Sequence, residues 1–220
     1  MTAGFDLEQT DRLLTTTRSV RRRLDLTRPV DRDLVLECLR IALQAPSGGN
    51  SQPWRWLIVD DPAVRARLAE LYRRSHDPYL AASRAAAQQA GRTGVDGILD
   101  SSQHLSDHLH EVPVLVIPCA LQRLPRDASL FDTAGLYGSI VPAVWSFMLA
   151  LRSRGLGSAY TTLHLNYERE AAAILGIPET VTQVAMIPVA WYTGDSFRPA
   201  RRRPVEQVVY LNRWRQKPGA

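Results

Sequence analysis

The sequence predicts an α+β fold in which a few strands are wrapped by helices, and three observations carry that prediction. The chain has 220 residues, 45% of them hydrophobic and 22% charged, which suits a globular domain with a sizeable core. Helical and strand-like patterns alternate along it without the regular βα repeat of a parallel sheet. A stretch without charge, Thr133 to Leu151, is too interrupted by Gly135, Gly138, Ser139, Pro142 and Ser146 for a membrane span, so it reads as a helix buried all round. No internal repeat or linker divides the chain, so residues 1–220 read as one domain.

The elements follow in order. Leu7 to Leu14 is a short helix candidate. Asp31 can cap a second helix, with Leu34, Cys38 and Ala42 on one stripe, that ends before Pro46. Leu57 to Val59 reads as a buried strand, and Asp61 with Pro62 caps a third helix carrying Val64, Leu68, Leu71 and Tyr72. From His76 to Gly97 the text turns Ala-, Gln- and Gly-rich without firm periodicity, which predicts a variable lid or excursion. A helix around Ile98 to His110, a strand at Val114 to Ile117 and the charge-free helix of about 132–154, stopped by Gly155, come next. A strand near Ser158 to Thr162, a helix capped by Asn166, a strand within Val181 to Tyr192 broken by Pro188, and an extended run at Val208 to Leu211 complete the series.

Charge and cysteine content exclude several roles. The chain has 27 basic residues against 22 acidic ones, and Lys217 is its only lysine. Outside the runs at 21–23 and 201–203 the arginines are scattered among acids, so no nucleic-acid arm is expected. Cys38 and Cys119 stand far apart and read as buried free thiols; with no signal-peptide pattern in the sequence, a reduced, cytoplasmic setting is expected. His104 and His108 lie four apart on a predicted helix, but no cysteine or carboxylate completes a ligand set in the sequence, so no metal is expected.

Chemistry points to two basic clusters and a turn. Arg18, Ser19 and Arg21 offer guanidinium forks and a hydroxyl within four residues, and Arg201 and Arg202 offer two more forks, the donor set that a phosphate monoester needs. The turn from Ala45 to Trp54 contains Gly48 and Gly49, which let backbone approach a flat ligand, and Asn50, which can match a ring edge or a hydroxyl. Solvated charge and a plain connecting turn are the competing readings.

Arg-Ser-Val-Arg at 18–21, Ala-Pro-Ser-Gly-Gly-Asn-Ser-Gln-Pro-Trp at 45–54, Gly-Leu-Gly-Ser at 155–158 and Arg-Arg-Arg-Pro at 201–204 together resemble the FMN-dependent nitroreductase family, in that family's order. Pro-Ala-Val-Trp-Ser-Phe at 142–147 and Thr-Thr-Leu-His-Leu at 161–165 look most like the actinobacterial, mycobacterial-type NAD(P)H nitroreductases. The resemblance implies a central, mostly antiparallel sheet wrapped by helices, with the long buried helix at a homodimer interface. It implies that Arg18, Ser19, Arg21, Arg201 and Arg202 hold the phosphate and ribityl chain of FMN. Ser47 and Asn50 then match the turn beside the flavin, and Thr161, Thr162 and Leu163 the segment along its ring system. The implied activity is hydride transfer from NADPH or NADH, then reduction of a nitroaromatic, quinone or similar acceptor by a ping-pong mechanism, with no catalytic side chain required. The alternatives are other flavin chemistry on the same scaffold (dehydrogenation, dehalogenation or flavin fragmentation) and, outside enzymes, an arginine-rich nucleic-acid or anion-binding module. Thr17 and Ala200 stand where relatives often carry a basic residue.

Overall fold

The computed structural model describes residues 4–217. They form two compact units, one running from Thr17 to Asp195 and the other made of the residues up to Thr16 together with those from Ser196 onward.

The larger unit is built on five strands: β1 (Trp54–Val59), β2 (Val114–Ala120), β3 (Leu156–Ser158), β4 (Thr182–Gln183) and β5 (Ile187–Trp191). Every pairing is antiparallel, in the order β1-β2-β5-β3, with β4 also on β2. All seven residues of β2 are buried, as a central strand covered on both faces requires.

Helix α2 (Arg32–Ala42), capped by Asp31, and helix α5 (Leu130–Ser153), capped by Ser129, supply one part of the core. Val35, Cys38, Leu39 and Ala42 from the first meet Ile140, Val144, Phe147 and Leu151 from the second. Asp61 accepts from the backbone N–H groups of Ala63 and Val64 and Pro62 takes the first turn, so α3 (Pro62–Gln89) starts where the sequence says it should. It does not stop there. The region expected to be an excursion from His76 is helical through Gln89, passing over Pro78. Its buried side chains end at Leu80, and from there intrinsic propensity carries the helix, since the segment is rich in Ala and Gln. Helices α4 (Asp96–His108) and α6 (Glu168–Leu175) complete this unit.

Helix α5 is buried on one side only. Leu136, Ile140, Val144, Phe147 and Leu151 are covered, whereas Phe131, Tyr137 and Trp145 are exposed. It is long and apolar enough to cross a bilayer by length and composition, but half of its most apolar window is covered by the rest of the chain.

The strand expected from Val181 to Tyr192 is also interrupted, though not at Pro188, which pairs with Leu115 inside β5. The break lies between Gln183 and Ile187, where the three residues Val184, Ala185 and Met186 face only Ile117 and Pro118 of β2. Pro118 accepts from the Val184 N–H and has no N–H to return toward the same neighbour, so a bulge forms there.

The smaller unit contains α1 (Leu7–Thr16) and α7 (Val205–Val208). The extended run expected at Val208 to Leu211 is not formed: Val208 closes the short helix, Val209 is extended, and the chain bends from Leu211.

Candidate functional site

The bulge places the first part of the site. Freed from β2, Met186 pairs with Thr161 instead: its N–H donates to the Thr161 carbonyl at 2.8 Å, and its carbonyl accepts from the Thr161 N–H at 3.2 Å and hydroxyl at 2.6 Å. Thr161 is thereby buried and committed to the scaffold, while Thr162 stands exposed at the head of the 3-10 turn Leu163–Tyr167, with no side-chain capping bond.

The basic segment at 18–21 is joined to the same edge. Ser19 bridges Ser158 at the end of β3, and the Val20 N–H donates to the Ser158 carbonyl at 2.9 Å. A β-carbon on Gly157 would lie 3.0 Å from Val20 Cβ and 3.1 Å from Leu24 Cδ2, so the absence of a side chain there lets both residues bury against β3. The structure thus brings Arg18, Ser19 and Arg21 together with the segment leading into Thr161, Thr162 and Leu163.

The four arginines from this stretch divide into two pairs. Arg22 lies 3.9 Å from Asp100 of α4. Arg23 donates through Nε to the Thr193 carbonyl at 2.6 Å and covers the Tyr192 ring. These two hold the scaffold. Arg18 and Ser19 are exposed and Arg21 half-buried. Arg21 is close enough to α3 to oppose the burial that pushes the Tyr72 hydroxyl up to about 12, and to add to the burial that lowers His76.

The turn at 45–54 is positioned by a different element. Gly48 donates its N–H to Ser139 Oγ on α5 at 3.0 Å, and the Ser139 hydroxyl donates to the Gly135 carbonyl at 2.7 Å. Gly49, Asn50 and Gln52 all have positive φ, at 56°, 53° and 46°, a conformation uncommon for residues with a side chain. Two bonds support it: the Gln52 N–H donates to Ser47 Oγ at 3.1 Å, and Gln52 Nε2 donates to Asn50 Oδ1, also at 3.1 Å. Ser47 therefore braces the turn, and exposed Asn50, its oxygen taken, presents its amide N–H groups outward.

Arg201 and Arg202 belong to the smaller unit. Both are exposed, and Arg202 Nη1 reaches back to the Arg201 carbonyl at 3.3 Å, just ahead of the Pro204 that starts α7.

Sequence reasoning missed Ser139, Met186, Gly157 and His164. His164 is fully buried directly behind Leu163, neither ring nitrogen has a hydrogen-bond partner, and burial pushes it down to about 4 against the pull of Glu168. The Gly155 and Gly157 pair was the available signal for close approach; nothing in the sequence marked the other three. Cys38 and Cys119 are buried free thiols pushed by burial up to about 11 and about 12, so they are inert.

Comparison with known proteins places this geometry. An NADH dehydrogenase of Thermus thermophilus is 31% identical over 203 residues, covering 87% of this chain and 90% of the relative. A crystal structure of an oxidised iodotyrosine deiodinase bound to FMN and 3-iodo-L-tyrosine superposes with a TM-score of 0.68 at 24% identity, covering 92% of this chain and 98% of that one. The FMN-dependent nitroreductase of Mycobacterium smegmatis in complex with NADPH gives 0.67 at 21% identity, covering 94% and 100%. These likenesses show the same α+β fold around the antiparallel sheet. The model of the nitroreductase family matches residues 14–191, a span that takes in the sheet, the 18–21 segment, the 45–54 turn and the Thr161 segment; the chain belongs to the nitroreductase family.

Proposed function

We propose that this chain is an FMN-dependent oxidoreductase that accepts hydride from NADPH or NADH and reduces an electron-poor acceptor such as a nitroaromatic or quinone. The observation that carries the reading is the joining of Arg18, Ser19 and Arg21 to the Thr161–Leu163 segment on one edge of the sheet. That edge combines what a phosphorylated flavin requires: guanidinium and hydroxyl donors for a dianion, beside backbone that can lie along a flat ring.

Arg18 and Arg21 hold the phosphate as forks, with Ser19 adding a hydroxyl. The family resemblance assigns Arg201 and Arg202 to the same phosphate, an assignment that rests on the sequence. Thr162 and Leu163 orient the ring through backbone groups, and Ser47 and Asn50 complete the polar surround. When bound, FMN supplies the hydride and electron transfer, so the residues bind, orient and shield, and none need act as a general base. The open apolar face of α5, with Phe131, Tyr137 and Trp145, is the face on which two copies associate in our reading, in keeping with the turn at 45–54 being docked on that helix. Donor and acceptor take turns in one pocket, which predicts ping-pong kinetics.

A second reading is reductive dehalogenation, favoured by the likeness to the iodotyrosine deiodinase. One experiment separates them. Protein loaded with FMN and desalted is mixed anaerobically with NADPH or NADH, then with a nitroaromatic, a quinone or 3-iodotyrosine. Bleaching by the nicotinamide and rapid reoxidation by the first two acceptors supports the reductase; iodide release after dithionite reduction, with no response to nicotinamide, supports the dehalogenase. Failure to retain FMN overturns both.

A further inference from the structure

Helix α4 carries a pair of histidines that the flavin reading does not use. His104 and His108 are four residues apart, so they share one face, and their ring centroids lie 4.5 Å apart with the planes tilted by 42°. Two imidazoles bound at about 2.1 Å to one tetrahedral ion have centroids roughly 5 Å apart, so the spacing of the rings is compatible with a shared ion.

The structure supplies what the sequence did not show, a carboxylate. Helix α4 runs on into the 3-10 turn Leu109–Glu111, anchored by the fully buried Leu109, and this turn brings Glu111 to His108, with His110 Nε2 also 3.7 Å from the same carboxylate oxygen. His108 Nδ1 lies 2.7 Å from Glu111 Oε1. A carboxylate there accepts a hydrogen bond from the Nδ1 N–H, which fixes the tautomer and leaves Nε2 as the lone-pair donor, the arrangement found behind metal-bound histidines.

Burial, His108 and Arg22 act against positive charge on His104, and the carboxylates of Asp107 and Glu111 act for it. Arg22 lies 3.9 Å from Asp100, which also accepts from Arg84 at 2.9 Å. The His108 and Glu111 side chains are 41% and 44% exposed, which leaves room for water to complete the coordination. Among the described residues no group of three or more His, Cys, Asp or Glu side chains is placed to hold a metal ion, so the proposed site has two protein ligands and the rest of its coordination is water.

We propose that His104 and His108 form a two-histidine site for a divalent transition-metal ion, zinc or copper, with Glu111 as the positioning residue. Imidazole suits both ions, and copper should bind more tightly than zinc. The site stands apart from the flavin reading and does not depend on it.

The test is calorimetric titration of tag-free, full-length protein with zinc chloride at neutral pH. One saturable event per chain is expected. It should vanish in His104→Ala and in His108→Ala, weaken ~10-fold or more in Glu111→Gln, and persist in His110→Ala. Circular dichroism identical to the parent protein shows that the substitutions leave the fold intact. Ring-nitrogen NMR should show zinc moving the His108 Nε2 resonance while Nδ1 keeps its proton. The absence of saturable binding, or binding that survives the His104→Ala/His108→Ala double substitution, overturns the site; unaltered affinity in Glu111→Gln overturns the role of the carboxylate.

Discussion

The two arginine-rich segments have nearly the same composition and are built differently. In the first, Val20 and Leu24 are buried among the basic residues, and the backbone is tied to the sheet at Ser158 and Trp191. In the second, no side chain from Arg201 to Leu211 is buried, and the bond made by Arg202 reaches only to its neighbour. Two apolar residues four apart thus turn a run of charge into an element with a fixed orientation. A segment of that kind can present guanidinium groups in a fixed orientation, whereas the other has no comparable anchor among its own side chains.

The strongest test of this contrast is a pair of double variants. Arg18→Ala with Arg21→Ala should weaken FMN binding by ~100-fold or more, read by flavin fluorescence, since two charge-assisted forks are lost. Arg201→Ala with Arg202→Ala should cost ~10-fold at low salt and less as salt is raised, as expected of a screened field. Equal losses that respond equally to salt would erase the distinction.

The sheet-anchored region should also carry a pH dependence that the C-terminal segment lacks. His164 is held at about 4 in the folded protein against an ordinary 6.5, so between those values the unfolded chain binds a proton that the folded one refuses. Stability should therefore fall as pH drops from about 6.5 toward 4, by up to about 3 kcal/mol. In urea unfolding at pH 7.5 and pH 5, His164→Leu should flatten that dependence. It should cost little at neutral pH, because the ring has no hydrogen bonds to lose. A variant with the parent's pH slope would place the acid sensitivity elsewhere.

Gly157→Val addresses the anchor itself. Its side chain meets Val20 and Leu24, so the basic segment must shift from β3, with an expected loss of about 1–3 kcal/mol and weaker FMN binding. Unchanged flavin affinity at reduced stability would mean that the arginines need no anchoring. The smallest effect is expected at Asn50→Gly. Relief of the φ of 53° is offset by the lost bond from Gln52 and by the extra freedom of glycine in the unfolded chain, so stability should stay within about 1 kcal/mol while flavin affinity falls with the lost amide.

How legible this was in the sequence depended on whether the cause was local. The caps at Asp31 and Asp61 and the stop at Gly155 act within a turn or two of themselves, and each element begins or ends where they indicated. The far half of α3 was missed because the reading required an apolar stripe, and beyond Leu80 that helix buries nothing. The bulge at Val184–Met186 was invisible because its cause, Pro118, lies on another strand. The same holds within the candidate site: Arg18, Ser19 and Asn50 could be nominated by residue type, whereas Ser139 and Met186 act only through contacts made on folding.

The bulge also sets a time scale. Strand amides are ordinarily the last to exchange with solvent and loop amides the first, because exchange follows the opening of the hydrogen-bonded partner. Here the N–H groups of Val20, Thr161 and Met186 lie outside the five strands, yet each is bonded across to a distant part of the chain. In deuterium they should exchange as slowly as the centre of β2, an island of slow amides within segments that look like loops.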